Sequence, residues 1–302
     1  MLLIIILYAL FASTFTLGKV LLAYSQPIFL TGIRMSIAGG VLFAYQYFVR
    51  KHAFKIRKKD ISLYIQAMLF SIFLPYTLRF WGLDYMPASK AALLYNLGPF
   101  FSYMFAYMAG HEYISWKKVI GLLIGFFGLI PILIAPSPQE DLLGTFKSIS
   151  WPEIAMIASV ACLAYGWIVV RKLLKERKYD PVMVNAISMF SGGITGLTTA
   201  FLFEQGPYIT NVPKFMSLLM VVIIVSNLMC HSLYTSLLKK YTPTLLAFAG
   251  FLSPIFAATY GWFFMGERVS WHFYISIILV VLGLTLFYQE ELRSNDDLAP
   301  VE

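Results

Sequence analysis

Apolar residues in this chain come in long runs, and short charged loops separate them. A run of about 20 such residues matches the hydrocarbon core of a bilayer. The strict alternation of a membrane β-barrel strand is absent. The pattern predicts an all-α polytopic membrane protein with ten transmembrane helices. The predicted spans are Leu2–Gly18, Pro27–Val49, Ser62–Leu83, Ala88–Ala109, Trp116–Ala135, Pro152–Lys172, Pro181–Phe203, Lys214–Leu238, Pro243–Met265 and Trp271–Tyr288. Several start at or near a proline, whose missing N–H costs little there.

The pattern also repeats. Ala92 to Leu129 reads ALLYNLGPFFSYMFAYMAGHEYISWKKVIGLLIGFFGL, and Ala247 to Leu284 reads AFAGFLSPIFAATYGWFFMGERVSWHFYISIILVVLGL. At a constant offset of 155, Pro99 meets Pro254, Glu112 meets Glu267, Ser115-Trp116 meets Ser270-Trp271, and Gly128 meets Gly283. Such a gapless match of Pro, Glu, Ser-Trp and Gly marks an internal duplication. It extends weakly outward, with Pro27 opposite Pro181 after a small shift. Each half then holds five spans, an odd number, so the second copy enters the membrane with opposite polarity. The expected organisation is two inverted five-helix repeats, residues 1–135 and 152–288. An outer linker (136–151) and a cytoplasmic tail (289–302) complete it. Secondary transporters use this arrangement around a central site.

Composition agrees. The chain is 59% apolar and 13% charged, where soluble domains carry about 25% charged residues. Its net charge of +8 would fit nucleic acid in a soluble protein. The distribution gives another reason. With the N-terminus cytoplasmic, 16 of the 23 Lys and Arg residues fall on the inside and 5 outside, leaving Arg34 and Arg79 within spans. That bias places both termini in the cytoplasm and needs no nucleic acid. The first segment has no basic leader and reads as a retained span in the cytoplasmic (inner) membrane. Cys162 and Cys230 lie inside spans and read as free thiols, and the sequence carries no metal or cofactor signature.

Ten spans in two inverted halves, with the Pro99 and Pro254 helices followed by GHEYISW and MGERVSW, resemble the drug/metabolite transporter superfamily in its EamA-type branch. Lys19 and Arg34 fit that family's opening segment. His111 and Tyr113, on either side of Glu112, depart from its Gly-Glu-Arg pattern. The resemblance implies a cavity between the halves, lined by spans one, three, four, six, eight and nine. It implies transport and says little about cargo. No phosphate-binding Gly-rich motif is present, so gradients or exchange would supply the energy.

Arg79 is the leading candidate for binding. A charge inside a span costs ~2.5–3.5 kcal/mol at the centre on insertion scales and usually faces a bundle interior or water. Its guanidinium could clamp a carboxylate, or snorkel outward, or pair with Asp84. Asn227, His231 and Tyr234 share one face of span eight. At the repeat offset, Tyr76 corresponds to His231 and Arg79 to Tyr234. His231 either carries a coupled proton or is a neutral packing residue. Tyr95 and Asn96 precede Gly98-Pro99, where the helix loses backbone hydrogen bonds. With Trp167, these residues form the expected binding set: Arg79, Tyr76, Tyr95, Asn96, Trp167, Asn227, His231 and Tyr234. Tyr8, Phe15, Trp81, Tyr165, Phe248 and Phe251 are further aromatics on the expected cavity helices. Lys19, Arg34, Pro99, Pro254, Glu112 and Glu267 are expected to be gating or structural, with Ser115 and Ser270 capping the helices behind the two glutamates. Gly39-Gly40, Gly192-Gly193 and Gly121-x-x-x-Gly125 should let helices approach closely.

No acidic residue lies deep in a span, which favours a zwitterionic or anionic cargo over a purely cationic one. The expected function is secondary transport of a small amino-acid-derived metabolite, with S-adenosylmethionine/S-adenosylhomocysteine or an aromatic amino acid as named candidates. Efflux of drug-like compounds or flipping of a lipid-linked carrier is the alternative. The four histidines are scattered and form no catalytic or metal set, so an enzyme is not expected. The expected partners are the cargo and the bilayer, with a homodimer left open.

Overall fold

A computed structural model describes residues 2–50, 56–86, 91, 94–110, 115–128, 145–146, 149–206, 208–253, 256, 259–260, 275, 278–279, 281–283, 285–287 and 289–290. Among them, six helices are long and apolar enough to cross a bilayer. They are α1 (Leu2–Leu22), α2 (Pro27–Val49), α3 (Lys58–Tyr85), α6 (Trp151–Lys175), α7 (Pro181–Phe203) and α8 (Val212–Leu237). Between α3 and α6 stand two shorter apolar helices. The first, α4, opens as a 3₁₀ turn (Tyr95–Leu97) and continues as Gly98–Met108, and the second, α5, is Trp116–Phe127. After α8 comes α9 (Pro243–Leu252), and further helical residues lie within 275–290. A two-residue antiparallel pairing, Thr145–Phe146 with Ile149–Ser150, ends the predicted linker.

Local chemistry sets the helix starts. Ser150 and Glu153 form a reciprocal capping box at α6, which satisfies two otherwise orphaned N–H groups. Side chains of Asp180, Asn211 and Thr242 cap α7, α8 and α9 in the same region as a proline. Ser115 departs from expectation. It stands at the cap position of α5 but makes no cap bond. Its hydroxyl instead bonds Glu290 Oε1 at 2.8 Å, and its N–H donates to Tyr103 Oη at 2.9 Å.

Several helices depart from regular α geometry. α3 widens to i→i+5 bonding over Met68–Phe73, just before Pro75, and α8 does so over Ile223–His231. The first widened turns of α3 and α8 coincide at the offset of 155 residues. So do the 3₁₀ turns Tyr95–Leu97 of α4 and Gly250–Leu252 of α9.

α2 and α7 form the closest seam. A Cβ placed on Gly39 would lie 2.4 Å from the Phe190 nitrogen, and one on Gly193 2.3 Å from the Ser36 nitrogen. Gly40 meets nothing within 4 Å, so only one glycine of that pair serves the seam. α5 packs on the C-terminal helical residues, where a Cβ on Gly121 would come within 2.9 Å of the Gly283 oxygen. Two large apolar clusters, one joining α1, α2, α3, α6, α7 and α8 and the other joining α1, α3, α6, α7, α8 and α9, hold these helices together.

Candidate functional site

Six helices leave a cavity between them. α1 contributes Tyr8, Phe11 and Phe15, α3 contributes Tyr76 and Arg79, and α4 contributes Tyr95, Asn96, Gly98 and Ser102. On the opposite wall stand Leu163, Ala164 and Trp167 of α6, Tyr234 of α8, and Gly250 and Ser253 of α9. The space measures about 720 Å³ including its open part. Among the described residues that line it, none is acidic.

One end of the cavity is cationic. Arg79 is 4% exposed, and its guanidinium sits 3.9 Å from the Phe15 ring centre and 5.1 Å from that of Tyr95. Its Nη2 donates to Thr14 Oγ1 at 3.2 Å, while Nε has no hydrogen-bond partner among the described residues. Asp84, considered above as a partner, lies elsewhere. It belongs to the end of α3 that Lys19 holds, through bonds of 2.7 Å from Nζ to the Leu83 and Asp84 carbonyls. Tyr95 Oη is fixed by Ser159 Oγ at 2.7 Å, and Ser159 in turn donates to the Pro75 carbonyl at 2.7 Å. The proline at the α3 break thus has its carbonyl satisfied by a side chain of α6.

The other end is aromatic. Trp167 stacks on Tyr234 with ring centres 4.2 Å apart, and Phe11 meets Tyr234 edge-on at 6.3 Å. Tyr8 Oη donates to the Leu246 carbonyl, which ties α1 to α9. From Tyr8 to Phe15, α1 rises about 10 Å, so the two ends are separated by that order of distance.

Six of the eight expected binding residues therefore line the cavity: Arg79, Tyr76, Tyr95, Asn96, Trp167 and Tyr234. Two do not. His231 is 1% exposed and stands behind the wall, its ring centre 4.7 Å from Trp167 and its Nδ1 3.5 Å from Tyr76 Oη. Asn227 is also buried and points its Nδ2 at the Met35 sulfur, 2.9 Å away. Trp167 and Tyr76 lie against His231, and Met35 against Asn227. Tyr76 and His231, which stand at the repeat offset of 155 residues, meet each other directly. Of the further aromatics, Tyr8 and Phe15 line the cavity. Tyr165 bonds Gln66 Oε1, Trp81 packs on Tyr85, and Phe248 and Phe251 pack with Phe287 in a separate cluster.

Among the expected structural residues, Pro99 lies in the first turn of the α-helical part of α4, directly after its 3₁₀ turn. Arg34 is buried behind Tyr76 and Phe80. Pro254, Glu112 and Glu267 lie outside the described residues. Phe11, Thr14, Ser102 and Ser253 belong to the site or its immediate support and were not singled out from sequence. Their offsets from Tyr8, Phe15 and Pro99 were the available signal. Among the described residues, no three His, Cys, Asp or Glu side chains come together as a metal set.

A solved crystal structure shares this fold, with a TM-score of 0.72 over 95% of both chains at 16% identity. A S-adenosylmethionine/S-adenosylhomocysteine transporter of Chlamydia muridarum is 30% identical over 94% of this chain and 90% of its own length. The transporter of the same description from Chlamydia trachomatis serovar L2 is 29% identical over 94% of this chain and 87% of its own. An uncharacterized transporter of Bacillus subtilis is 24% identical over 89% of this chain and 85% of its own. The sequence profile of the EamA-like transporter family matches residues 1–134 and 150–289. A multi-pass helical chain whose halves both match that profile leaves no other assignment: this protein belongs to the EamA-like transporter family.

Proposed function

We propose that this chain is a ten-span secondary transporter, built as two inverted five-helix repeats, that carries S-adenosylmethionine or S-adenosylhomocysteine across the cytoplasmic membrane with both termini inside. The observation that carries the reading is Arg79, a buried guanidinium in an aromatic cavity, where among the described residues its Nε has no partner and no lining side chain is acidic. Such a cation calls for an anionic group from the cargo, and a guanidinium matches a carboxylate in two-pronged fashion. About 10 Å away along α1, the Trp167–Tyr234 stack offers π-faces to a flat ring or a sulfonium. An S-adenosyl amino acid has the carboxylate at one end and the adenine at the other. The names of the Chlamydia relatives support the same cargo.

The test is uptake of labelled S-adenosylmethionine and S-adenosylhomocysteine into proteoliposomes, with an aromatic amino acid as the comparison cargo. Wild type should take up the S-adenosyl compounds. Arg79→Met should reduce that uptake by roughly tenfold to a hundredfold, the range expected for losing a hydrogen-bonded charge. Full uptake by the folded Arg79→Met variant removes the clamp. Uptake of the aromatic amino acid alone replaces the cargo.

A further inference from the structure

Arg34 does not line the cavity, and among the described residues no carboxylate pairs with it. It is 1% exposed, and its Nε and Nη2 have no hydrogen-bond partner among the described residues. The guanidinium rests 4.9 Å from the ring centre of Tyr76 and 4.8 Å from that of Phe80. Arg79 lies 5.9 and 5.8 Å from the same two rings. Two buried cations thus share one pair of rings. The aromatic faces offset part of the cost of a desolvated cation. Like charges at this range in a poorly polarisable interior still repel, and nothing charged among the described residues answers them. The repeat does not impose this charge. Through the Pro27–Pro181 correspondence, Arg34 falls opposite Ser188, which is also buried but neutral.

We propose that Arg34 is a specificity-determining residue: as a second cation one layer behind Arg79, it sets the cavity's excess positive charge, so that the site favours cargo whose own charges cancel over cargo with a net positive charge. The proposal rests on the S-adenosyl reading above. S-adenosylhomocysteine carries one ammonium and one carboxylate, a net charge of zero. S-adenosylmethionine adds a sulfonium and is a net cation. Arg34 attracts the carboxylate that both compounds share and repels the sulfonium that only one carries.

The experiment is equilibrium binding of both compounds to the purified full-length protein in nanodiscs, for wild type, Arg34→Gln and Arg34→Lys, with melting temperatures as the folding control. Wild type should bind S-adenosylhomocysteine more tightly. Arg34→Gln should shift the ratio of the two dissociation constants by about tenfold toward S-adenosylmethionine, the scale of one unscreened charge at this range. Arg34→Lys, which keeps the charge and changes the shape, should keep the wild-type ratio. An unchanged ratio in folded Arg34→Gln, or an equal weakening of both compounds, overturns the assignment and leaves a structural arginine. If Arg34→Gln does not fold, wild type decides, and tighter binding of S-adenosylmethionine overturns the proposal. Wild type that binds neither compound overturns the cargo reading and this proposal together.

Discussion

A single carboxylate shows how unevenly the residues of one charged loop can be placed. Asp60 follows Arg57, Lys58 and Lys59, yet its side chain is wholly buried. It accepts a bond from Tyr179 Oη at 2.9 Å and lies 3.2 Å from Arg177 Nε, whose own side chain is one-third exposed. Removing one partner of a fully buried pair costs about 3–5 kcal/mol, and an exposed pair is worth far less. Asp60→Ala should therefore fall between, at about 1–3 kcal/mol. Tyr179→Phe should lose about 1 kcal/mol, one hydroxyl bond. Melting in detergent checks both, and a Tyr179→Phe loss larger than that of Asp60→Ala would contradict the assignment. The sequence hid Asp60, because a carboxylate among lysines reads as solvated. It revealed Arg79, because a charge amid apolar residues has few inexpensive places to go. His231 and Asn227 fall between these cases. Periodicity gave their helical face, but only packing shows that Trp167, Tyr76 and Met35 cover it.

Elements carry the duplication further than residues do. Paired helices at the repeat offset break at matching places: the widened turns of α3 and α8, and the 3₁₀ turns of α4 and α9. The α4 break was legible, since Pro99 removes a backbone donor. The widened turn in α8 was not, because Ile223–His231 contains no proline. Its start matches the widened turn of α3 at the offset of 155 residues. The α2–α7 seam gives this scale its prediction. Gly39 and Gly40 are neighbours on one helix with opposite surroundings. Gly40→Ala should be neutral or stabilising by up to ~1 kcal/mol, the helix-propensity gain. Gly39→Ala drives a methyl group into the Phe190 backbone and must separate the helices, for which overpacking costs of about 1–3 kcal/mol are typical. Thermal unfolding of the two variants side by side should show opposite signs. Equal effects would mean that the helices stand further apart than the structure has them.

At the scale of the whole molecule, each half reaches across to the other at both faces. At one face the Thr210 N–H donates to the Tyr24 carbonyl at 3.0 Å. There, too, the Glu204 carboxylate accepts from the N–H groups of Ile28 at 2.6 Å and Phe29 at 2.8 Å, capping α2. Burial raises the Glu204 carboxyl above its usual 4.5, against the opposing pull of those two bonds. At the other face, Tyr179 Oη accepts from the Arg57 N–H at 3.1 Å and donates to Asp60. Tyr179 and Ser25 each stand two residues before the proline that opens α7 or α2, and Ser25 itself bridges to Ile209. The two clasps thus occupy equivalent places in the halves. Inverted halves put them on opposite sides of the membrane, and parallel halves would put them on the same side. In the proposed orientation, with both termini inside, the Arg57 clasp faces the cytoplasm. Thr210 and Lys59 are both exposed, one beside each clasp. A membrane-impermeant maleimide should label Thr210→Cys in intact cells and Lys59→Cys only after the membrane is opened. Cys162 and Cys230, inside helices of the bundle, should leave wild type unlabelled. Labelling in the reverse order would invert the orientation and leave the repeat intact. Labelling of both from one side would mean that the halves are not inverted, and alternating access around the Arg79 cavity would lose its structural basis.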